Sequence, residues 1–166
     1  KEWAKEGTGV GEANVIDTWQ GKGTVKIVII NADRQAASES LVNDVQEYID
    51  PHKNGDGAGE APMGAVCTVV SATNIPININ VTGIVTNGNV AESEIRDALA
   101  KKVESYLKEI AFKQNYVSAA QIASFVIGLD YIKDYDTCII NGDNKKVTLS
   151  DEEVAVKGTI EVHISG

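Results

Sequence analysis

The chain is poor in the residues that most often carry chemistry. It has two cysteines and two histidines in 166 residues. Cys67 and Cys138 fall in no CxxC or Cys/His spacing, which argues against a zinc site and against a disulfide framework. Both lie in strand-like runs, Ala65-Val66-Cys67-Thr68-Val69-Val70 and Thr137-Cys138-Ile139-Ile140, so two buried reduced thiols are expected, with a bridge between them left open. His52 and His163 are far apart and belong to no metal-ligand motif. Positive charge is also scarce: 15 Lys and Arg stand against 24 Asp and Glu, a formal balance of −9. That weighs against a nucleic-acid groove, whose affinity rests on clustered cations. No run approaches the ~18 apolar residues of a membrane span, and no signal-peptide core is present. A GxSxG elbow is missing, and no Ser/His/Asp or Cys/His set can be assembled. Carboxylate pairs are too common in an acidic chain to inform. The expectation is no catalysis, no cofactor, no metal, no nucleic acid and no membrane partner.

What is present reads as ordinary globular protein, with 43% apolar and 23% charged residues. The length allows one domain or two small ones. The amino-terminal half reads as strand, strand, helix, strand. Residues 14–17 are short and strand-like, and Trp19-Gln20-Gly21-Lys22-Gly23 is a turn-rich connection. Residues 24–30 (TVKIVII) are dense in β-branched side chains. A helix over about 38–49 places Leu41, Val45, Tyr48 and Ile49 on one stripe until Pro51 stops it. Residues 50–64 hold four glycines and two prolines and read as a long loop, after which 65–72 return as a strand.

The second half opens on Ile75, Ile77, Ile79 and Val81 at period two, a half-buried strand. Asn89 with Glu92 suggests a helix cap, and Ile95, Leu99, Val103, Tyr106, Leu107 and Ile110 mark one helical face behind it. A second helix is expected from Ser118, with Gln121 as capping-box partner, Val117 and Ile122 as a hydrophobic staple and Gly128 as its stop. Residues 129–140 read as a strand, Asn141-Gly142-Asp143-Asn144 as a hairpin-type connection, and 153–164 as a strand with His163 on its polar face. The chain opens on Lys1 rather than Met, as expected of a piece of a longer polypeptide.

Four features bear on function. Gly7-Thr8-Gly9-Val10-Gly11 has glycines but lacks the preceding strand and following helix of a dinucleotide site, so a bulged or flexible strand entry is favoured. Asn54-Gly55-Asp56-Gly57-Ala58-Gly59-Glu60 sets oxygen ligands among glycines, but it has too few carboxylates and only one flanking helix for an EF-hand. Asp151-Glu152-Glu153 reads as solvated edge charge, and the sequon Asn80-Val81-Thr82 lies within a strand. Charge looks evenly spread, with 6 basic and 11 acidic residues in 1–73 against 9 and 13 in 74–166.

The ordered signatures carry a resemblance. They are Gly7-Thr8-Gly9-Val10-Gly11 with strands 14–17 and 24–30, the helix over 41–50, Ala61-Pro62-Met63-Gly64-Ala65-Val66 leading into 68–72, and Ile75-Pro76-Ile77-Asn78-Ile79-Asn80-Val81 with the long helix behind it. Tyr116-Val117-Ser118 through Ile127-Gly128-Leu129-Asp130-Tyr131 completes the set. In this order the chain resembles the baseplate J-like family of contractile-tail phages and prophages. The resemblance implies a structural protein of the wedge around the tail hub, located in the virion after assembly in the bacterial cytoplasm. It implies other baseplate proteins as partners, no catalytic residues, and a longer parent of which this would be the middle and carboxy-terminal part.

The expected fold is α+β. It comprises two small subdomains, 1–73 (ββαβ) and 74–166 (βααββ), each a mostly antiparallel sheet of three to four strands with one or two helices on one face. Trp3, Trp19, Asp56 and Glu60 are the candidate partner contacts. The alternative is a small-ligand or calcium-binding module using the 50–64 loop or an inter-domain cleft.

Overall fold

The computed structural model describes residues 2, 4 and 9–166; Trp3 and the Gly7-Thr8 pair lie outside the described residues. The architecture is α+β. The chain divides into two compact units, Lys1–Asn74 with Ser150–Val154, and Ile75–Leu149 with Ala155–Gly166.

In the first unit, β1 (Val10–Asp17) and β2 (Thr24–Asn31) form an antiparallel hairpin. Helix α1 (Glu39–Ile49) then leads to β3 (Val66–Ser71), which pairs with β2 in parallel, giving the order β1-β2-β3. A parallel neighbour needs a crossover, and α1 with the loop behind it supplies one. Ile27, Val28, Ile29 and Ile30 are all buried, so the unbroken apolar run of β2 belongs to a strand covered on both faces. Ser38 caps α1 by accepting the Leu41 N–H through Oγ at 3.2 Å. The helix packs Val45 and Ile49 against Ile27, Ile29, Cys67 and Val69. Tyr48, expected in the buried stripe, is 40% exposed, and Gln46 takes an interior place instead. The register of β1 slips between Val10 and Glu12, where a Cβ on Gly11 would overlap the Asn31 carbonyl. Gly11 therefore sits in a bulge at the start of β1.

The acidic run at 151–153 differs from the expectation of solvated edge charge. Asn14 Nδ2 donates to the Asp151 carbonyl (3.0 Å), the Thr73 N–H to the Glu152 carbonyl (2.9 Å), and Lys26 Nζ pairs with Glu152 at 2.7 Å. Backbone groups in this segment find partners in the first unit, and the charge moves with them. By composition the first unit carries 6 basic against 14 acidic residues, 6 − 14 = −8, and the second 9 against 10, 9 − 10 = −1. The even spread of charge read from the sequence does not hold.

The second unit is organised on β4 (Thr73–Thr86). Its stretch 79–82 pairs with β7 (Thr137–Ile140), its end 85–86 with β6 (Ile132–Asp134), and β9 (Glu153–Ile164) pairs with it as well. Residues 129–140 are thus two short strands where one was expected. The cause lies across the sheet at Gly83. Its φ of +67° departs from strand geometry, and the Asp136 carboxylate occupies the place of its missing Cβ, while the Asp136 N–H donates to Thr82 O at 2.9 Å. The kink also shifts the side-chain phase: Ile77, Ile79 and Val81 point inward, then Ile84 does, leaving Val85 45% exposed.

Helix α2 (Glu92–Ile110) lays Ile95, Leu99, Val103, Leu107 and Ile110 on that apolar surface. It starts later than expected, with Ala91 at the N-cap in place of Asn89. Glu94 accepts the Ala91 N–H (3.3 Å), and Glu92 is drawn away to accept the Ile164 N–H (3.0 Å). Helix α3 (Ala119–Ile127) is capped by Ser118, whose Oγ accepts the Gln121 N–H at 3.1 Å, over a buried Val117–Ile122 staple. The Gln121 side chain does not complete the box; the Tyr106 hydroxyl accepts the Ser118 N–H instead, at 3.0 Å. Gly128 has a right-handed φ of −78°, so its value is spatial: a Cβ would come within 2.9 Å of Ser124 O. A two-strand ribbon of β5 (Tyr116–Val117) and β8 (Val147–Thr148) is too short to show a period in sequence.

Leu99 is fully buried between α2 and the sheet. Leu99→Ala is expected to cost about 2–5 kcal/mol by lost transfer energy plus a cavity, read as a lower urea midpoint.

Candidate functional site

The β1–β2 turn, which carries Trp19, adjoins the end of the 50–64 loop, which carries Asp56 and Glu60. The join is in the backbone: the Val66 N–H donates to Gly23 O at 2.9 Å, continuing the Thr24–Val66 register of β2 and β3. Trp19 is half-buried, and its ring lies under Lys26 Nζ, 4.2 Å from the centroid. That cation is in turn held by Glu152. The tryptophan therefore packs back on its own sheet and keeps part of its surface outward.

The loop is built from the inside. Gln46 Nε2 donates to the carbonyls of Asp50 (2.7 Å) and Cys67 (3.0 Å), and its Oε1 accepts the Val69 N–H at 2.8 Å. Asp50 Oδ2 accepts the N–H groups of Gly55 (3.2 Å) and Cys67 (3.0 Å). Both side chains are buried, at 6% and 2% exposure, and these bonds offset the cost of removing them from water. Further along, the Glu60 N–H donates to Tyr48 O, the Ala61 N–H to Ile49 O and the Gly64 N–H to Gly55 O, so the loop folds back on the end of α1. Its glycines supply the backbone shapes, with Gly55, Gly57 and Gly64 all at positive φ.

Asp56 is exposed and bonds His52 Nδ1 at 2.7 Å, while its other oxygen accepts the Ala58 N–H at 3.0 Å. The His52 bond is the main cause that holds the Asp56 carboxyl below its ordinary range, followed by the Ala58 bond. Glu60 is exposed in the same loop, as is Met63, at 83%. Sequence reasoning passed over Met63; its setting in Pro62-Met63-Gly64, an apolar residue between turn formers, was the available signal.

Among the described residues no group of three or more His, Cys, Asp and Glu could hold a metal ion. Asp50 faces inward onto two N–H groups, so the loop does not turn that carboxylate outward to a cation. Cys67 is free and buried, and Cys138 is free and half-buried where full burial was expected. Burial, with the Asp50 charge beside it, pushes the Cys67 thiol up, and burial alone raises Cys138, so both stay protonated at neutral pH. His163 lies exposed on β9, as its place in the alternation suggested.

Gln46→Leu is expected to cost about 2–4 kcal/mol, since the Val69 N–H and two carbonyls lose their partner, with faster proteolysis within 50–64 as a second readout. The depressed Asp56 pKa sets a sign for pH. The His52–Asp56 tie is complete above the ordinary aspartate range and fails as pH falls through the lower, folded value. NMR of the Asp56 carboxyl should show titration below that of free aspartate, moving up in His52→Ala.

Two family models match in tandem: the baseplate J-like central domain over residues 1–71 and the baseplate J-like protein C-terminal domain over 77–163. The phage-like element PBSX protein XkdT of Bacillus subtilis (strain 168) is 37% identical over 162 residues, covering 98% of this chain and 46% of that protein. YqbT of the same organism is 35% identical over the same length. The chain thus spans about half the length of the curated relatives it matches. Its fold is shared with a chain in the six-fold symmetrised cryo-EM structure of the anti-feeding prophage baseplate, at a TM-score of 0.60 and 10% identity, over 96% of this chain and 35% of that one. By both domain matches, this chain belongs to the baseplate J-like protein family.

Proposed function

We propose that this chain is a structural part of a phage or prophage tail baseplate, held in the virion by contacts with other baseplate proteins and performing no catalysis. The observation that carries this reading is the tandem of baseplate J-like domains along almost the whole length. A relative named for the PBSX phage-like element and a fold shared with a chain of the anti-feeding prophage baseplate support it. The two modules, 1–73 and 74–166, would each offer a surface for assembly, in the cytoplasm of the host bacterium.

Trp19, Asp56 and Glu60, with Met63 added, form the contact surface of the first module in this reading. A half-exposed indole and an exposed thioether give apolar area, and the two carboxylates give a polar edge, as interface centres and rims do. Trp3 stays a candidate on sequence grounds alone. A calcium site in the 50–64 loop has less support, because Asp50 is turned inward and Asp56 is engaged by His52 and the Ala58 N–H.

Co-expression with the products of the neighbouring tail genes tests the proposal. A tagged chain should retain at least one of them through gel filtration, and Trp19→Ala with Met63→Asp should reduce that retention about tenfold, as loss of a central anchor does. A chain that elutes alone with every tail protein and is missing from purified particles overturns the reading.

A further inference from the structure

Three Asn-Gly pairs occur in the chain, Asn54-Gly55, Asn87-Gly88 and Asn141-Gly142. In each, the glycine leaves its backbone nitrogen open to the side chain before it, because no Cβ stands in the way. That nitrogen can attack the asparagine Cγ, so by sequence the three are equal candidates for self-deamidation. All three glycines have positive φ and all three asparagines are exposed, so neither feature separates them. Their hydrogen bonds do. Asn54-Gly55 is closed from the inside. Gly55 is buried and its N–H donates to the Asp50 carboxylate at 3.2 Å, while Asn54 Oδ1 accepts the Asp56 N–H at 3.1 Å. The attacking species is the amide anion, and a carboxylate beside the N–H opposes its formation by like charge. Asn141-Gly142 is closed by its side chain. Asn141 Oδ1 accepts the Asn78 N–H at 2.8 Å, Nδ2 donates to Pro76 O at 3.2 Å, and the residue itself sits at φ +49°. Turning its Cγ toward Gly142 breaks both bonds and leaves the Asn78 N–H without that acceptor.

Asn87-Gly88 has neither restraint. Gly88 is exposed, and among the described residues its N–H donates to no protein acceptor. The Asn87 amide has one contact, Nδ2 to Asp130 O at 3.4 Å, at the long limit of a hydrogen bond. A Cβ on Gly88 would meet nothing within 4 Å, so there is room around the glycine for a ring to close. The turn is anchored by the Asn87 N–H on Tyr131 O (2.8 Å) and by Thr86 Oγ1 on Gly88 O (3.0 Å), which leaves the reacting nitrogen and the side chain as its free parts. We infer that Asn87 is a self-modifying site, which deamidates through a succinimide while the fold protects Asn54 and Asn141. Solvent base takes the Gly88 amide proton, and the nitrogen pair forms a bond to Asn87 Cγ. The Cγ–Nδ2 bond then breaks, and Nδ2 leaves as ammonia after gaining a proton from water. Water opens the ring at either carbonyl and leaves aspartate or isoaspartate, with no change of oxidation state. Each event adds a negative charge to the second unit, and the isoaspartyl form lengthens the backbone between β4 and α2. The inference goes beyond the baseplate reading and stands on these hydrogen bonds alone, so its failure leaves that reading intact.

The test holds the folded chain at mildly alkaline pH over weeks, with a parallel sample kept unfolded in guanidinium. Both are digested at acid pH, and each Asn-Gly peptide is read by mass spectrometry for conversion of amide to acid and for isoaspartate. In the folded chain, conversion at Asn87 should lead that at Asn54 and at Asn141 by at least about tenfold, and the three should converge when unfolded. Asn87→Gln, which needs a larger ring, should leave the folded chain with little conversion at any of the three positions and an unchanged urea midpoint. Equal conversion at the three pairs in the folded chain, Asn54 or Asn141 ahead of Asn87, the same ratios folded and unfolded, or a converted Asn87 peptide free of isoaspartate would each overturn the assignment.

Discussion

Parallel pairing of β3 with β2 is the constraint from which the first unit follows. Two parallel neighbours cannot be joined by a tight turn, so the chain must leave the sheet, cross one face and return. Helix α1 makes the crossing, and residues 50–64 make the return. This one requirement creates the outward helix face, the loop tip with Met63 and the backbone junction of that loop with the β1–β2 turn. It also creates a problem, because a loop brought back beside a buried strand carries polar backbone into the interior. Gln46 and Asp50 resolve it with five hydrogen bonds to the backbone of the loop and of β3.

The second unit depends on a different constraint, a long strand that must bend. β4 holds an apolar face under α2 for most of its length, then changes phase at Gly83. Paired strands follow the bend, so β7 and β6 divide its neighbouring stretches between them. Aliphatic side chains carry the packing throughout, and aromatics serve at the margins. Tyr106 meets Phe125 edge-on at 5.5 Å and uses its hydroxyl to satisfy the α3 cap, joining α2 to α3 by one side chain.

Among the described residues the buried polar side chains of Gln46 and Asp50 satisfy backbone groups, and most other carboxylates and lysines face solvent. The two thiols are shifted away from reactivity by burial. That distribution suits a part fitted against other proteins, which agrees with membership of a structural family.

Much of the fold was legible in sequence because it follows local rules. Period two in 75–81, period 3.6 from Ile95 to Ile110, the Ser38 and Ser118 caps and the Val117–Ile122 staple act over a few residues, and a linear reading reaches them. Only the tertiary structure could decide that β3 lies parallel to β2, that Asp136 fills the space at Gly83, and that Tyr106 completes a cap twelve residues away. It alone could show that Glu152 joins the first unit and takes its charge there. Each of these is a pairing across long separation, set by which backbone groups need partners once the chain has closed on itself. The alternation of side chains along a strand carries no record of that need, so sequence determined the elements and their buried faces, and the folded chain determined which surfaces stand together.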